Sequence, residues 1–356
     1  TAKVSKMTGM KLVRSAIAVT ASIALLTGCA STPKSSPSET PAAKVYETAP
    51  LTGIKFEQGT NPNLAGPSVA CKVDNLDIAR PQLNLNRTDI VFDEMVEGGL
   101  TRFVAVWHSD KPDAVGPVRS IRPMDPDIVS PLGGIVCYSG GQLKFVKMMQ
   151  ATDVFNANET EEQGKGTFTR DSKREAPHNV IVNIAKLAGA HADLAAPKPM
   201  FLIGEDLASA SANAGDPVKS FKVYFPAALA EWVWDSKSGT WLRNQDGKLD
   251  TDAADGSTLS TTNVVVMNVK VDHQYGHVPK DLVIGTGVAS VFTNGKMIKG
   301  TWSKADRVSS IVLKDSTGKE IKLAPGRTWV ELQPTESEGG KLKVVLSATF
   351  TSAPNK

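Results

Sequence analysis

The chain has 356 residues, 41% of them hydrophobic, and a formal net charge of +3. That length supports two ordinary domains with cores of their own. The small charge gives no reason to expect nucleic acid as a partner. Five histidines and three cysteines leave little material for a metal site, and no cofactor is expected.

The first 29 residues read as a targeting segment. Lys11 and Arg14 precede an apolar run, Ser15 to Leu26, of 12 residues, too short to span a bilayer comfortably. The run ends in Leu26-Thr27-Gly28-Cys29, which resembles a bacterial lipobox, with lipid carried on Cys29. Residues 30–50 are rich in Pro, Ser, Thr and Ala and read as a tether, because they cannot bury a core. The expected location is the extracytoplasmic face of the cell membrane, held there by the lipid.

Residues 51–200 predict an α/β domain. Val69 to Val73 reads as a buried strand ending at Asp74-Asn75. Asp89 to Glu94 and Thr101 to His108 flank the Gly98-Gly99 turn as a hairpin, so the sheet is expected to be mixed. Gly116 to Pro123 is too punctuated for a regular element and reads as a loop. Ile135 to Tyr138 reads as a strand leading into Ser139-Gly140-Gly141, and residues 142–150 as a helix. Val180 to Ala190 has the pattern of an amphipathic helix, with Asn179 placed to cap it.

Residues 201–356 predict a smaller, β-rich domain. Hairpins are expected around Ser236 to Gly239, around Asn294-Gly295, and between Ile311 to Asp315 and Glu320 to Leu323. Val264 to Val271, Trp329 to Leu332 and Leu342 to Ala348 complete the predicted strands. The expected fold class is α+β: an N-terminal α/β domain with a mixed sheet, then the β-rich domain.

Asp74 to Pro126 is the stretch richest in chemistry. It holds five of the chain's 11 arginines but one of its 29 lysines. Arginine offers a planar fork of donors suited to carboxylate, phosphate or sulfate. Arg80, Arg102, Arg119 and Arg122 are therefore the expected anion ligands, with Gln82, Thr101 and Ser120 as neutral donors. Asn75, Glu94, Ser139 and Asn179 are placed beside them. The competing reading pairs these arginines with Asp93, Glu94 and Glu97 as a structural network. Glu97, Asp74 and His178 are the candidates for acid–base work if the site is catalytic.

Weaker signals weigh less. His273 and His277 have metal-like spacing, but Gly276 and Pro279 argue against a helix there. Ser139 follows a strand, yet G-x-S-x-G is absent. Trp232, Trp234 and Trp241 suit a core at least as well as a glycan face. Cys71 and Cys137 fit either a disulfide or two buried thiols in an oxidising compartment.

The runs DNLDIARPQ, DEMVEGGLTRF, GPVRSIRP, YSGGQ and REAPHNV, in that order, are similar to the YerB-like bacterial lipoproteins. The likeness continues through WDSKSGTWLRNQDGK, TTNVVVMNV, GTGVASVFTNGKMIKGTW and LAPGRTWVEL, over about residues 50–350. Cys71 and Cys137 depart from it, standing where ordinary core residues are expected. The resemblance implies a two-domain envelope lipoprotein and supplies no activity. The expectation is a binding lipoprotein for an anionic or polar envelope ligand (a cell-wall glycan, a peptide or a phosphate-bearing polymer) or for an envelope protein. The alternative is an envelope hydrolase or transferase using a carboxylate/His pair in the same cleft.

Overall fold

The structure, a computed structural model, describes residues 44–347. The expected signal peptide, Cys29 and most of the expected tether lie outside the described residues. Tyr46–Thr48, at the end of that tether, pairs with Lys55–Glu57 as a short antiparallel ribbon.

Uninterrupted apolar and β-branched runs become the buried strands. β1 (Val69–Asp74), β2 (Ile90–Met95) and β3 (Thr101–Trp107) are buried along their whole lengths. β4 (Ile135–Tyr138) and β5 (Phe155–Asn158) follow. Among the described residues the α-helices are short: α1 (Asp125–Val129), α2 (Leu143–Gln150) and α3 (Ile184–Ala190). The later strands are β6 (Asp216–Tyr224), β7 (Leu229–Asp235), β8 (Thr240–Gln245), β9 (Asn263–Asp272) and β10 (Gly285–Thr293). β11 (Lys296–Lys304), β12 (Val312–Asp315), β13 (Thr328–Pro334) and β14 (Lys341–Leu346) follow, beside shorter strands.

The central sheet runs β5–β4–β1–β3–β2–β13–β9–β10–β11–β12. It is mixed: β5/β4, β4/β1, β2/β13 and β13/β9 are parallel pairs. β13 is the seam, with Thr328 to Glu331 alongside Ile90 to Asp93. The sheet therefore passes from the first half of the chain into the second without a break. β14, β6, β7 and β8 form an antiparallel layer. Its Phe221, Trp232 and Trp241 share a core with Val69, Phe103, Val266 and Trp329. On the opposite face Phe92, Val104 and Val330 pack with Ile128, Phe145 and Met149 of α1 and α2. The protein is thus mostly sheet, richer in strand than the sequence predicts.

Two local expectations are corrected, and two open readings are decided. Val180–Val182 is a strand, and the helix starts only at Ile184, capped by the Asn183 side chain accepting from the Lys186 N–H. Three consecutive β-branched residues favour strand, and Asn179 accepts from Arg170 instead. The hairpin expected over 311–323 shrinks to β12 and a single bridge, Lys314 to Glu320, while Leu323 bridges to Ile203. Trp232 and Trp241 are fully buried, so they offer no glycan face. Cys71 and Cys137 lie opposite each other on β1 and β4 and form a disulfide. No helix among the described residues is long and apolar enough to cross a membrane.

Candidate functional site

The 116–123 loop is pinned at the ends of β1 and β4. The Asp74 N–H donates to Pro117 O, Arg119 N–H to Lys72 O, and Ser139 N–H to Arg119 O. Gly116 has φ +139, and a Cβ there would lie 2.7 Å from Val180 O. Only glycine lets the loop approach the 180–182 strand this closely. The consequence is that Arg119, Ser120 and Arg122 stand over the carboxyl end of β1, in the mouth where loops commonly carry function.

Asp74, at the end of β1, is fully buried. Its Oδ2 takes His178 Nδ1 at 2.6 Å and lies 3.2 Å from Arg119 Nε. His178 and Arg119 therefore share one carboxylate oxygen. On β3, Arg102 stands opposite both Asp74 and Glu94. Arg102 Nη1 donates to Ser120 O at 3.3 Å, and Arg122 Nη1 donates to the same oxygen at 3.2 Å. Arg122 Nε pairs with Glu97 at 2.9 Å. Three guanidiniums and an imidazole thus surround two carboxylates.

The electrostatics follow from burial and crowding. Arg102 is pushed down to about 10 by burial and by repulsion from Arg122 and Arg119, against the pull of Asp74 and Glu97. Its Nε finds no acceptor among the described residues. Burial raises Glu97, but its own backbone N–H and Arg122 outweigh that and hold it below the usual carboxylate range. Glu97 is therefore a poor proton acceptor here, and the Asp74–His178 pair is the better placed for acid–base work.

Beneath the arginines lies a buried charge cluster. Lys72, on β1, contacts Glu94 and donates to Asp125 at 2.9 Å. Burial brings Lys72 down to about 8 against the attraction of Asp125. Asp281, which accepts from the Met95 N–H at 2.9 Å, is pushed up to about 8, chiefly by burial. Its folded value lies above its unfolded one near 4, so the folded protein holds a proton that the unfolded chain releases between those values. That contribution to stability is lost as pH rises from about 4 to 8. Asp281→Asn cannot titrate. The variant is expected to gain on the wild type by more than about 1 kcal/mol between pH 5 and pH 8, since a tenfold difference in proton affinity between the folded and unfolded chain is worth about 1.4 kcal/mol. Urea midpoints at the two pH values measure this; an unchanged difference would refute it.

Of the remaining expected site residues, Asn75, Gln82 and Thr101 form a buried amide–hydroxyl network with Gln245 of β8. Ser139 donates to Glu159, whose other oxygen pairs with Arg170 at 2.6 Å. Arg80 is engaged elsewhere, between Asp77 and Asp246. His273 pairs with Glu338 on the exposed side of a turn. Lys72, Asp125 and Gln245 are site neighbours that the sequence pattern does not single out. A lysine inside Val69 to Val73 is the one local signal for Lys72.

Two family descriptions match this chain. Residues 51–196 match the N-terminal domain, and 221–330 the C-terminal domain, of a "protein of unknown function (DUF3048)". A Bacillus subtilis (strain 168) protein named "Putative lipoprotein YerB" is 28% identical over 292 residues, covering 80% of this chain and 86% of that one. The fold resembles the crystal structure of the B. subtilis YerB protein with a TM-score of 0.71 at 24% identity, over 83% of this chain and 99% of that one. The two family matches thus take in the central sheet up to the middle of β13, and the chain belongs to the YerB-like family, whose two domains carry the DUF3048 description.

Proposed function

We propose that this is a lipid-anchored binding protein of the extracytoplasmic membrane face, whose Arg102–Arg119–Arg122 cleft takes an anionic group of an envelope polymer. One observation carries the reading. Arg102 is 7% exposed, makes a single 3.3 Å bond, leaves Nε unpaired among the described residues, and shares its acceptor with a second arginine. Buried donors ordinarily find partners, and like charges on one carbonyl are stabilised by an anion between them. Three guanidiniums in one cleft present forked donors, which suits an anionic group on a glycan, peptide or phosphate polymer. The lipobox-like Cys29 and the similarity to a described lipoprotein support the anchor.

A second reading, an envelope hydrolase or transferase, is favoured by the 2.6 Å Asp74–His178 contact. A buried carboxylate on Nδ1 fixes the imidazole and leaves Nε2 to move a proton. The test is a thermal-shift and turnover series with inorganic phosphate, acetate and envelope fragments. Wild type is run beside an Arg119→Ala, Arg122→Ala double variant. At 100-fold over Kd, a bound anion adds about 2.7 kcal/mol, so the wild type should gain a few degrees and the double variant nothing. Equal shifts in both would remove the cleft as the site. Product formation that disappears in Asp74→Asn, with binding retained, would put the enzyme reading first.

A further inference from the structure

A cavity of about 400 Å³ opens beside the ribbon of Tyr46–Thr48 and Lys55–Glu57. Its walls are mainly Ala49, Pro50, Pro199, Phe201, Leu202 and Ile203, with the exposed Thr48, Lys55 and Glu205 also bordering it. The cavity is held open by backbone bonds. Leu323 N–H donates to Leu202 O at 2.9 Å, Gly204 N–H to Leu323 O at 2.8 Å, and Gly326 N–H to Thr52 O at 2.7 Å. Gly53 has φ +68, and a Cβ there would lie 2.5 Å from Ile203 Cγ2. The ribbon closes on the 199–205 wall only because that position is glycine. Large apolar side chains nearby are exposed: Val45 60%, Tyr46 55%, Ile54 38% and Leu202 43%.

We infer that this cavity takes a single acyl chain. The volume lies in the range of small-molecule sites, about 300–1,000 Å³, and such sites are preformed and mostly apolar. Walls this apolar give a ligand buried area and almost no hydrogen bonds, which suits a hydrocarbon chain better than a sugar or a peptide backbone, whose polar groups would be left unpaired. Position supports the same occupant. Cys29 precedes Lys44 by 15 residues, and 15 extended residues reach at most about 50 Å. An acyl group on Cys29, or a bilayer lipid beside it, is therefore within reach of the cavity. Lys55 at the border suits the carboxylate or phosphate end of such a chain. The inference goes beyond the anion cleft and is independent of it; the argument from position and the source of the chain rest on the reading of Cys29.

The experiment uses the full chain with Cys29→Ser, which carries no lipid, titrated with the fluorescent fatty acid cis-parinaric acid. Saturable one-to-one binding is expected. Leu202→Asp, at a side chain already 43% exposed, should weaken it at least tenfold without unfolding the protein. Leu249→Asp, at an exposed leucine outside the cavity lining, should leave it unchanged. Absent or non-saturable binding overturns the inference, as does equal weakening by the two variants. In the acylated wild type, lost probe binding assigns the cavity to the chain's own anchor, and retained binding assigns it to a bilayer lipid. Anion binding in the arginine cleft is measured separately and is unaffected by either leucine change.

Discussion

Arg243→Met is expected to lower the unfolding free energy by about 3–5 kcal/mol, the range for removing one partner of a buried ion pair. Arg243, on β8, is fully buried. Its Nη2 reaches Asp93 at 2.9 Å and its Nη1 contacts Asp250. Its guanidinium lies 4.8 Å from the Trp329 ring centroid and 5.1 Å from that of Phe103. Asp93 of β2 is in register with Glu331 of β13, so two carboxyl groups sit side by side in the core. Burial raises both, Asp93 to about 6 and Glu331 to about 8, with Arg243 pulling each back down. Methionine keeps much of the side-chain volume but leaves these acids with no cation. The variant must then desolvate carboxylate without a partner or take up protons to neutralise it. Adding Asp93→Asn to Arg243→Met should recover part of the loss, because one fewer charge is stranded. Equilibrium urea unfolding of the two variants measures both effects; a loss below about 1 kcal/mol in Arg243→Met would mean the cluster does not key the second sheet to the central one.

That cluster also shows where the sequence stops being informative. β1, β2 and β3 are legible because apolar and β-branched residues run between Gly, Pro and Asn punctuation. The β10–β11 hairpin is legible because Asn294-Gly295 supplies two residues with positive φ, observed at 53° and 67°. Nothing local encodes the parallel pairing of Ile90 to Asp93 with Thr328 to Glu331, which forms only when the whole sheet assembles. The same distance hides the charge partners. Asp93, expected among the neighbouring arginines, is held instead by Arg243, 150 residues away. Arg80 belongs to the expected cluster by proximity in sequence, yet it meets Asp246 from the second half. The site residues that do come together, Asp74, Arg102, Arg119, Arg122 and Glu97, lie within one continuous stretch folded back on itself. His178 joins them from outside, flagged by its place among polar residues before an apolar run. Residue type announces the chemistry of the cleft; long-range pairing decides which members face it.

Arg102→Met should weaken binding of inorganic phosphate by about 10-fold to 150-fold, while leaving thermal stability unchanged or slightly raised. A charge-assisted hydrogen bond is worth about 1.5–3 kcal/mol, and each 1.4 kcal/mol is a factor of about ten in affinity. Stability should hold because little is stranded by the change. Asp74 keeps His178 and Arg119, Glu94 keeps Lys72, and Glu97 keeps Arg122. What is removed is a buried guanidinium weakened by its own desolvation and by two like charges. Methionine is apolar and of comparable length, so it fills the space without an unpaired donor. A residue that costs stability in the free protein and is needed for binding is characteristic of a functional site. A structural network predicts the reverse, because its removal would strand partners and destabilise the fold by about 3 kcal/mol or more. Isothermal titration with phosphate and a melting curve on the same sample separate the two. Retained affinity with a large fall in melting temperature would make the arginine cluster architecture and move the search for a ligand elsewhere on the surface.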